Sequence, residues 1–534
     1  MQTEVLDRPA TEISGPHKVR RHEALTVVAC SLLAAALCLY RLTARSMWID
    51  EAVTFRIART PPLDVVLSDG GNMAAYYLFL RGWMHLGDSL AVLRLPSVMF
   101  AVAGVVFFYL LVRRWFDVRV ASVASLLLAV HSSFIYYGQE ARSYSLELML
   151  VVASWLVLSI ALERRTVRWF LLWGLVNALA VSAQLFAVLL VAAQLASLLF
   201  VAKKLPWRAV ASGLVTTAVA AAPVLLTAAE RGNVQISWVP PPSIDGFRQV
   251  LLFLGGANFE PSPDRRLQFV AALVIVVCLV GWTAGAWTAV RKRREDSSGN
   301  WVGASAVLWL IVPLASAVVV SLTYQPLLVP RFFIALVPAH CLLLAVAVVA
   351  LPSQTHRRFV LAALVVLGFS GVVRSYGEGH WELDRVAAHL VEVARPGERV
   401  VVLPFLQKLP FEYHLERTPG GDELKYLGPI SQDWEPPKRS VWGVFEAFLV
   451  PSSPEKVGRL ASRRERFWLV TAEYIRWDES GGVRKAEFET GGFIGALGPG
   501  FRVTSSRDFG RVVVLRIDAP EREVASRSTS STAN

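Results

Sequence analysis

Between residues 24 and 375 the chain repeatedly presents apolar runs about as long as a helix needs to cross a bilayer core, roughly 20 residues. Hydrophobic residues make up 54% of the chain and charged residues 18%, too apolar a balance for one soluble core of this length. Only helices that satisfy their own backbone, or closed barrels, cross a membrane. The expected class is therefore an all-α polytopic membrane protein. Eleven spans are expected, at 24–42, 92–112, 120–136, 143–162, 169–183, 185–202, 209–228, 267–290, 301–322, 332–351 and 359–375. The fifth and sixth are separated by little more than Ser182 and Gln184.

Basic residues set the orientation. Lys18, Arg20 and Arg21 precede the first span, Arg113, Arg114 and Arg119 follow the second, and Arg164, Arg165 and Arg168 follow the fourth. Lys203, Lys204 and Arg208 follow the sixth, Arg291 to Arg294 the eighth, and Arg357 with Arg358 the tenth. Such clusters stay in the cytoplasm. The expected protein is a multi-pass protein of the cytoplasmic membrane, with residues 1–23 inside and the C-terminus extracytoplasmic. The net charge of +12 thus belongs to membrane topology and not to nucleic acid. Cys30, Cys38, Cys278 and Cys341 all fall within spans and read as small core residues, with no disulfide framework or thiolate metal site.

The external loops, 43–91, 136–144, 229–266 and 323–331, hold the polar chemistry. The first contains Ser46-Met47-Trp48-Ile49-Asp50-Glu51-Ala52, two adjacent carboxylates just beyond the first span. Its later part, Ala74 to Trp83, is too short to span and suits a helix in the interface. Glu140 and Arg142 stand at the lip of two apolar helices, Arg248 and Glu260 lie in the proline-bounded loop, and Arg331 opens the tenth span. Interfacial anchoring explains any one of these, since long basic side chains snorkel to water. It explains the set less well, because the cytoplasmic side shows Arg/Lys clusters while the external side mixes acids, bases and aromatics. From residue 376 short apolar runs alternate with charge at 399–403, 467–471 and 512–516, and Trp381 to Ala394 has a helical period. A small α/β domain at 376–523 and a disordered tail at 524–534 are expected.

A carboxylate can take a proton from an acceptor hydroxyl, and arginine holds phosphate oxygens as a planar, permanently charged donor. Trp48, Tyr136 and Tyr137 suit a sugar face or a lipid groove. The pattern supports glycosyl or phosphoryl-linked transfer at the outer surface. No dinucleotide fingerprint, P-loop or H-E-x-x-H occurs, so no organic cofactor is expected; a divalent ion shared by Asp50 and Glu51 is left open. His131 reads as a helix-end polar contact before a site residue. A transporter or flippase would place charge near the bilayer midplane and show repeats. A non-catalytic scaffold for residues 376–534 leaves the two acidic loops unexplained.

Six segments in this order carry a family resemblance: S-M-W-I-D-E-A at 46–52, Y-Y-L-F-L-R-G-W at 76–83, L-R-L-P-S at 93–97, Y-Y-G-Q-E-A-R-S-Y at 136–144, S-W-V-P-P-P at 237–242 and P-R-F-F-I-A-L-V-P at 330–338. With them the chain resembles bacterial membrane glycosyltransferases of the GT-C superfold, in the group of family 39-like protein mannosyltransferases and lipid A aminoarabinose transferases. The resemblance implies an inverting transferase that moves a sugar from a polyprenyl-phosphate donor to an envelope glycan, lipid or protein. A related transfer of a lipid-linked glycan or phosphoryl group is the alternative. Asp50 is implied as base with Glu51 beside it, and Arg331, Arg142 and Arg248 as donor-phosphate ligands. Trp48, Tyr76, Tyr77, Arg94, Tyr137, Gln139, Glu140, Tyr144 and Trp238 are implied as supporting site residues. The family's proline before the paired tyrosines is replaced here by Asn72-Met73-Ala74-Ala75.

Overall fold

A computed structural model describes residues 21–67, 71–232, 239–257, 265–291, 297–377, 381–403, 407–426, 466–472, 474–477, 483–486 and 500–519. Trp238, Glu260, the basic residues Lys18 and Arg20, and the tail at 524–534 lie outside the described residues.

The long apolar runs are helices. They are α1 (Arg21–Leu39), α5 (Leu90–Trp115), α6 (Val118–Ala129), α7 (Ser132–Gly138), α8 (Tyr144–Arg164), α9 (Val167–Ala183), α10 (Ala187–Leu198), α11 (Trp207–Arg231), α13 (Arg265–Arg291), α14 (Ser297–Thr323), α15 (Val337–Ala350) and α16 (Gln354–Gly377). Among the described residues, eight helical stretches are long and apolar enough to cross a membrane. The pair α6 and α7 makes a ninth if it counts as one span, while Glu23–Leu39 and Val167–Ala183 are shorter apolar helices. The chain is a multi-pass membrane protein. Gly174 of α9 lies against Gly213 of α11, where a Cβ would meet the Gly213 carbonyl oxygen at 2.1 Å, so those two backbones touch.

The third expected span is broken. A bend of 59° separates α6 from α7 at Val130 and His131. The hydroxyls of Ser132 and Ser133 and the ring nitrogen Nε2 of His131 bond backbone carbonyls at Gly256, Phe253 and Leu254, so side chains at the break satisfy carbonyls at the end of α12 (Ile244–Leu254). His131 is thus a buried contact at a helix break.

Between α1 and α5 the chain forms α2 (Ile49–Ala58), α3 (Pro62–Leu67) and α4 (Ala74–Trp83). The expected short helix at 74–83 is present. Met73 enters it with φ of 62°, a conformation that proline, with its fixed negative φ, cannot take. Asn72 accepts a hydrogen bond from the Leu185 amide at 3.1 Å, which ties this entry to the gap between α9 and α10.

The C-terminal part holds α17 (Leu383–Val393), α18 (Lys408–Leu415), β1 (Arg399–Leu403), β2 (Lys425–Tyr426), β3 (Phe467–Ala472), β4 (Tyr474–Trp477), β5 (Val483–Ala486), β6 (Arg502–Asp508) and β7 (Val512–Asp518). The order β2-β1-β3-β7-β6 gives a mixed sheet, parallel through β2, β1 and β3 and antiparallel from β3 to β6. Val512, Val514, Leu515 and Ile517 of β7 are buried, and α17 packs Leu383, Val386 and Leu390 onto Val400, Val402 and Val470.

Candidate active site at one end of the bundle

Asp50 and Glu51 are consecutive in the first turn of α2, about 100° apart around its axis, and they face different partners. Glu51 points into the bundle and is fully buried. Arg94 of α5 grips it with both arms, Nε to Oε1 at 2.7 Å and Nη2 to Oε2 at 2.6 Å. The Ala141 amide donates to Oε1 at 2.8 Å. Burial alone would raise the Glu51 carboxyl, but the Arg94 charge and hydrogen bonds, the Ala141 amide and the Arg45 charge together hold it below its ordinary value. Both oxygens are engaged, so the pair Asp50–Glu51 does not fit a shared divalent ion. Among the described residues no three His, Cys, Asp or Glu side chains group to hold a metal.

Asp50 stays partly open, with 21% of its side chain exposed. Its Oδ2 lies 3.8 Å from Nη2 of Arg142 and 3.7 Å from Nη2 of Arg331. Arg142 leaves the turn between α7 and α8, and its Nη1 also donates to the Thr54 hydroxyl at 2.9 Å. Arg331 sits in the 3-10 turn Pro330–Leu336 that leads into α15, 6.0 Å from the centre of the Trp48 ring. Two guanidinium groups from distant segments therefore converge on one carboxylate.

The turn at 139–143 supplies the floor. Gln139 donates to the carbonyls of Cys38 and Tyr40 at 2.9 and 2.7 Å, capping the end of α1, and accepts from Nη2 of Arg45 at 3.1 Å. Glu140 is buried, and among the described residues neither of its carboxylate oxygens has a hydrogen-bond partner. Burial first, then the charge of Glu51, pushes its carboxyl up to about 8 against the pull of Arg45. The Tyr137 and Tyr144 rings meet edge-on at 4.7 Å, and the buried Tyr144 hydroxyl has no hydrogen-bond partner among the described residues. Tyr76 bonds Ser97 at 3.1 Å, and Tyr77 lies 3.5 Å from Nη1 of Arg142.

Thus Asp50, Glu51, Arg142, Arg331, Trp48, Tyr77, Arg94, Gln139, Glu140 and Tyr144 form one cluster. Arg248 spends its guanidinium on Asp245 of its own helix, at 2.7 and 2.9 Å, and no ion pair joins it to Asp50 among the described residues. Sequence reasoning passed over Arg45, which is buried with its guanidinium 4.3 Å from the Tyr136 ring centre. Its place immediately before Ser46 was the available signal. It also passed over Thr54, one helical turn beyond Asp50, which no motif marks.

Residues 73–226 match a family model described as dolichyl-phosphate-mannose-protein mannosyltransferase. The fold matches the ArnT of Cupriavidus metallidurans in its apo state at a TM-score of 0.59 and 16% identity, covering 93% of this chain and 98% of that one. The same protein bound to undecaprenyl phosphate gives 0.55 at 15% identity and equal coverage. The apo oligosaccharyltransferase of Archaeoglobus fulgidus gives 0.51 at 12% identity, covering 89% of this chain and 75% of that one. No curated protein matches the sequence. The chain has the fold of the GT-C membrane glycosyltransferases.

Proposed function

We propose that this GT-C chain is an inverting glycosyltransferase that takes a sugar from a polyprenyl-phosphate donor and passes it to a hydroxyl of an envelope acceptor. The observation that carries the reading is the Asp50 carboxylate held within 4 Å of both Arg142 and Arg331 at the rim of a membrane bundle. In this reading the acceptor hydroxyl attacks the anomeric carbon from the face opposite the phosphate. Asp50 takes the hydroxyl proton as the bond to the sugar forms. The anomeric C–O bond to phosphate breaks, and the polyprenyl phosphate leaves with the extra negative charge. Arg331, assisted by Arg142, stabilises that charge as it develops. Glu51 works through position: tied to Arg94, it fixes the turn of α2 that aims Asp50. No step needs a metal or an organic cofactor.

The neighbours support the substrate classes. The ArnT of Cupriavidus metallidurans has been seen bound to undecaprenyl phosphate, and the Archaeoglobus fulgidus oligosaccharyltransferase tethered to an acceptor peptide. The alternation of the basic clusters supports a cytoplasmic N-terminus and an extracytoplasmic C-terminus. Purified protein in detergent, given a panel of polyprenyl-phosphate sugars, should release polyprenyl phosphate from one of them, and a deletion strain should accumulate that donor and lack one envelope linkage. A strain with unchanged donor lipids and unchanged envelope glycans would overturn the reading.

A further inference from the structure

The segment that leads into α2 is held from two sides. From the bundle, Arg94 donates to the carbonyls of Leu42, Arg45 and Ser46 at 2.7, 2.9 and 3.3 Å. From the C-terminal domain, His414 of α18 and Asp384 of α17 reach Ser46 and Met47. The Met47 amide donates to Nε2 of His414 at 3.1 Å, and the Ser46 hydroxyl lies 3.1 Å from the same nitrogen. The Ser46 hydroxyl is 2.9 Å from Oδ1 of Asp384 and accepts from the Asp384 amide at 3.1 Å. That amide is one of the unpaired donors at the start of α17, so Ser46 caps a helix from another part of the chain. An imidazole nitrogen that accepts from a backbone amide carries no proton, so His414 is neutral with its proton on Nδ1.

The contact continues along α2. Phe55 meets Tyr413 edge-on at 5.4 Å, and both are buried. Arg417 covers the Tyr413 ring at 3.8 Å and pairs with Asp88 at 2.6 Å, while the Tyr413 hydroxyl donates to the Asp88 carbonyl at 2.9 Å. The helix that carries Asp50 and Glu51 is therefore seated between α5 and α18.

We propose that His414 is a positioning residue for the transfer reaction: by accepting the Met47 amide and seating Ser46 against α17 it sets the entry of α2 and so the aim of Asp50, an assignment that rests on Asp50 being the base. Only Trp48 and Ile49 separate Met47 from Asp50, and Asp50 lies in the first turn, where a displaced entry shifts its carboxylate directly. Burial first, with the nearby positive charges of Arg94 and Arg417 and against Asp384 and Glu51, holds the imidazole down at about 4, so the acceptor nitrogen is available at neutral pH. The C-terminal domain then acts as a clamp on the helix that carries the base, whatever else it binds.

The test uses the full chain in detergent and three variants, His414→Ala, His414→Gln and Ser46→Ala. Amide hydrogen exchange over 45–58 reads the clamp, and turnover of a polyprenyl-phosphate sugar reads its consequence. His414→Ala should speed exchange at Met47 and the first turn of α2 about tenfold. It should lower kcat by about 10- to 100-fold, the scale expected when a reacting group is misplaced by an ångström or less, with donor KM and polyprenyl-phosphate binding within about twofold of wild type. His414→Gln keeps an acceptor on a side chain of similar reach and should recover most of both. Ser46→Ala breaks the contact from the bundle side and should give a matching result, and unchanged exchange over β1 and β3 in every variant excludes mere unfolding of the C-terminal domain. Unchanged exchange in His414→Ala overturns the proposal, and so does faster exchange with undiminished kcat. Faster exchange in a chain whose wild type transfers no sugar upholds the clamp and sinks the transferase reading instead.

Discussion

At the end of the bundle that carries Asp50, arginines are buried: Arg94 is 1% exposed, Arg142 7% and Arg45 8%. At the opposite end Arg113, Arg114, Arg164, Arg165, Arg168, Lys203, Lys204, Arg208 and Arg358 are all exposed. The exposed end shows short-range surface pairing, Arg113 to Glu23 at 3.3 Å and Arg114 to Glu163. A surface charge stays solvated and costs little, whereas a buried one is tolerated only with a close partner. The difference teaches how to sort the charges of a membrane protein. Charges kept in water orient the chain, and charges taken out of water must fix geometry or do chemistry.

The largest effect should come from breaking the buried pair. Glu51→Ala leaves Arg94 buried without its carboxylate, a loss of about 3–5 kcal/mol for pairs of this kind. We expect little folded protein, and a lower unfolding midpoint for what remains. Undiminished yield and stability would show that the site end tolerates unpaired charge as the other end does. Asp50→Asn should separate chemistry from folding. It removes basicity and keeps the shape, so turnover should fall by about 10²–10⁴-fold while yield, monodispersity and donor binding persist. Near-normal turnover of purified Asp50→Asn would move the base elsewhere.

How much of this could be read from the chain depended on the range of the cause. The long helices, the short helix at 74–83 and the strands at 399–403 and 467–472 follow from local pattern, and they are present. The break at His131 carries no proline or glycine; at it Ser132 and Ser133 bond carbonyls of residues 256 and 253, more than a hundred positions away. The division of roles between Asp50 and Glu51 was equally hidden. Only the crossing of α5 decides which of two neighbouring acids meets Arg94. Arg248 pairs with Asp245, three positions earlier on its own helix, a local contact that the apolar pattern of the segment does not mark. The contact of Ser46 with His414 joins residues 368 positions apart, and no periodicity reports such a pair.

Arg331 comes next in size. Loss of a donor placed on developing charge costs about 10²–10³ in rate. Arg331→Ala should therefore nearly abolish turnover, and Arg331→Lys should keep a minor part, because an ammonium cannot hold two phosphate oxygens in a plane. If both variants turn over donor like wild type, Arg331 belongs with the surface charges of the opposite end and not with Asp50.

Glu140 gives a smaller effect that depends on pH. Its folded carboxyl is raised from 4.5 to about 8, so between these values the folded chain holds a proton that the unfolded chain has released. Stability must fall as pH rises through that window, by at most about 1.4 kcal/mol per pH unit for one proton. Glu51 has the opposite sign: its carboxyl is lowered, so its contribution is present above 4.5 and lost as pH falls further. Glu140→Gln should flatten the decline in unfolding midpoint between pH 5 and pH 8 and leave the acid side unchanged. Parallel curves for wild type and variant would place that proton on another group.

The smallest effect belongs to the exposed end, and it completes the contrast. Arg114 pairs with Glu163 and also donates from Nε to the Ser159 hydroxyl at 3.0 Å, with the two charged side chains 33% and 49% exposed. Water solvates both partners when they separate, and salt screens them when they meet, so a pair of this kind contributes about 0.2–1 kcal/mol. Glu163→Gln removes one charge without changing shape. Turnover and yield should match wild type, and any drop in unfolding midpoint should shrink further on going from 50 mM to 500 mM salt, while the drop for Glu51→Ala should persist because its partner is shielded from ions. If instead Glu163→Gln cost as much as Glu51→Ala, or if salt erased the Glu51 effect as well, burial would not be what separates the two ends. The charges around Asp50 would then need another explanation than a site held together by paired groups out of water.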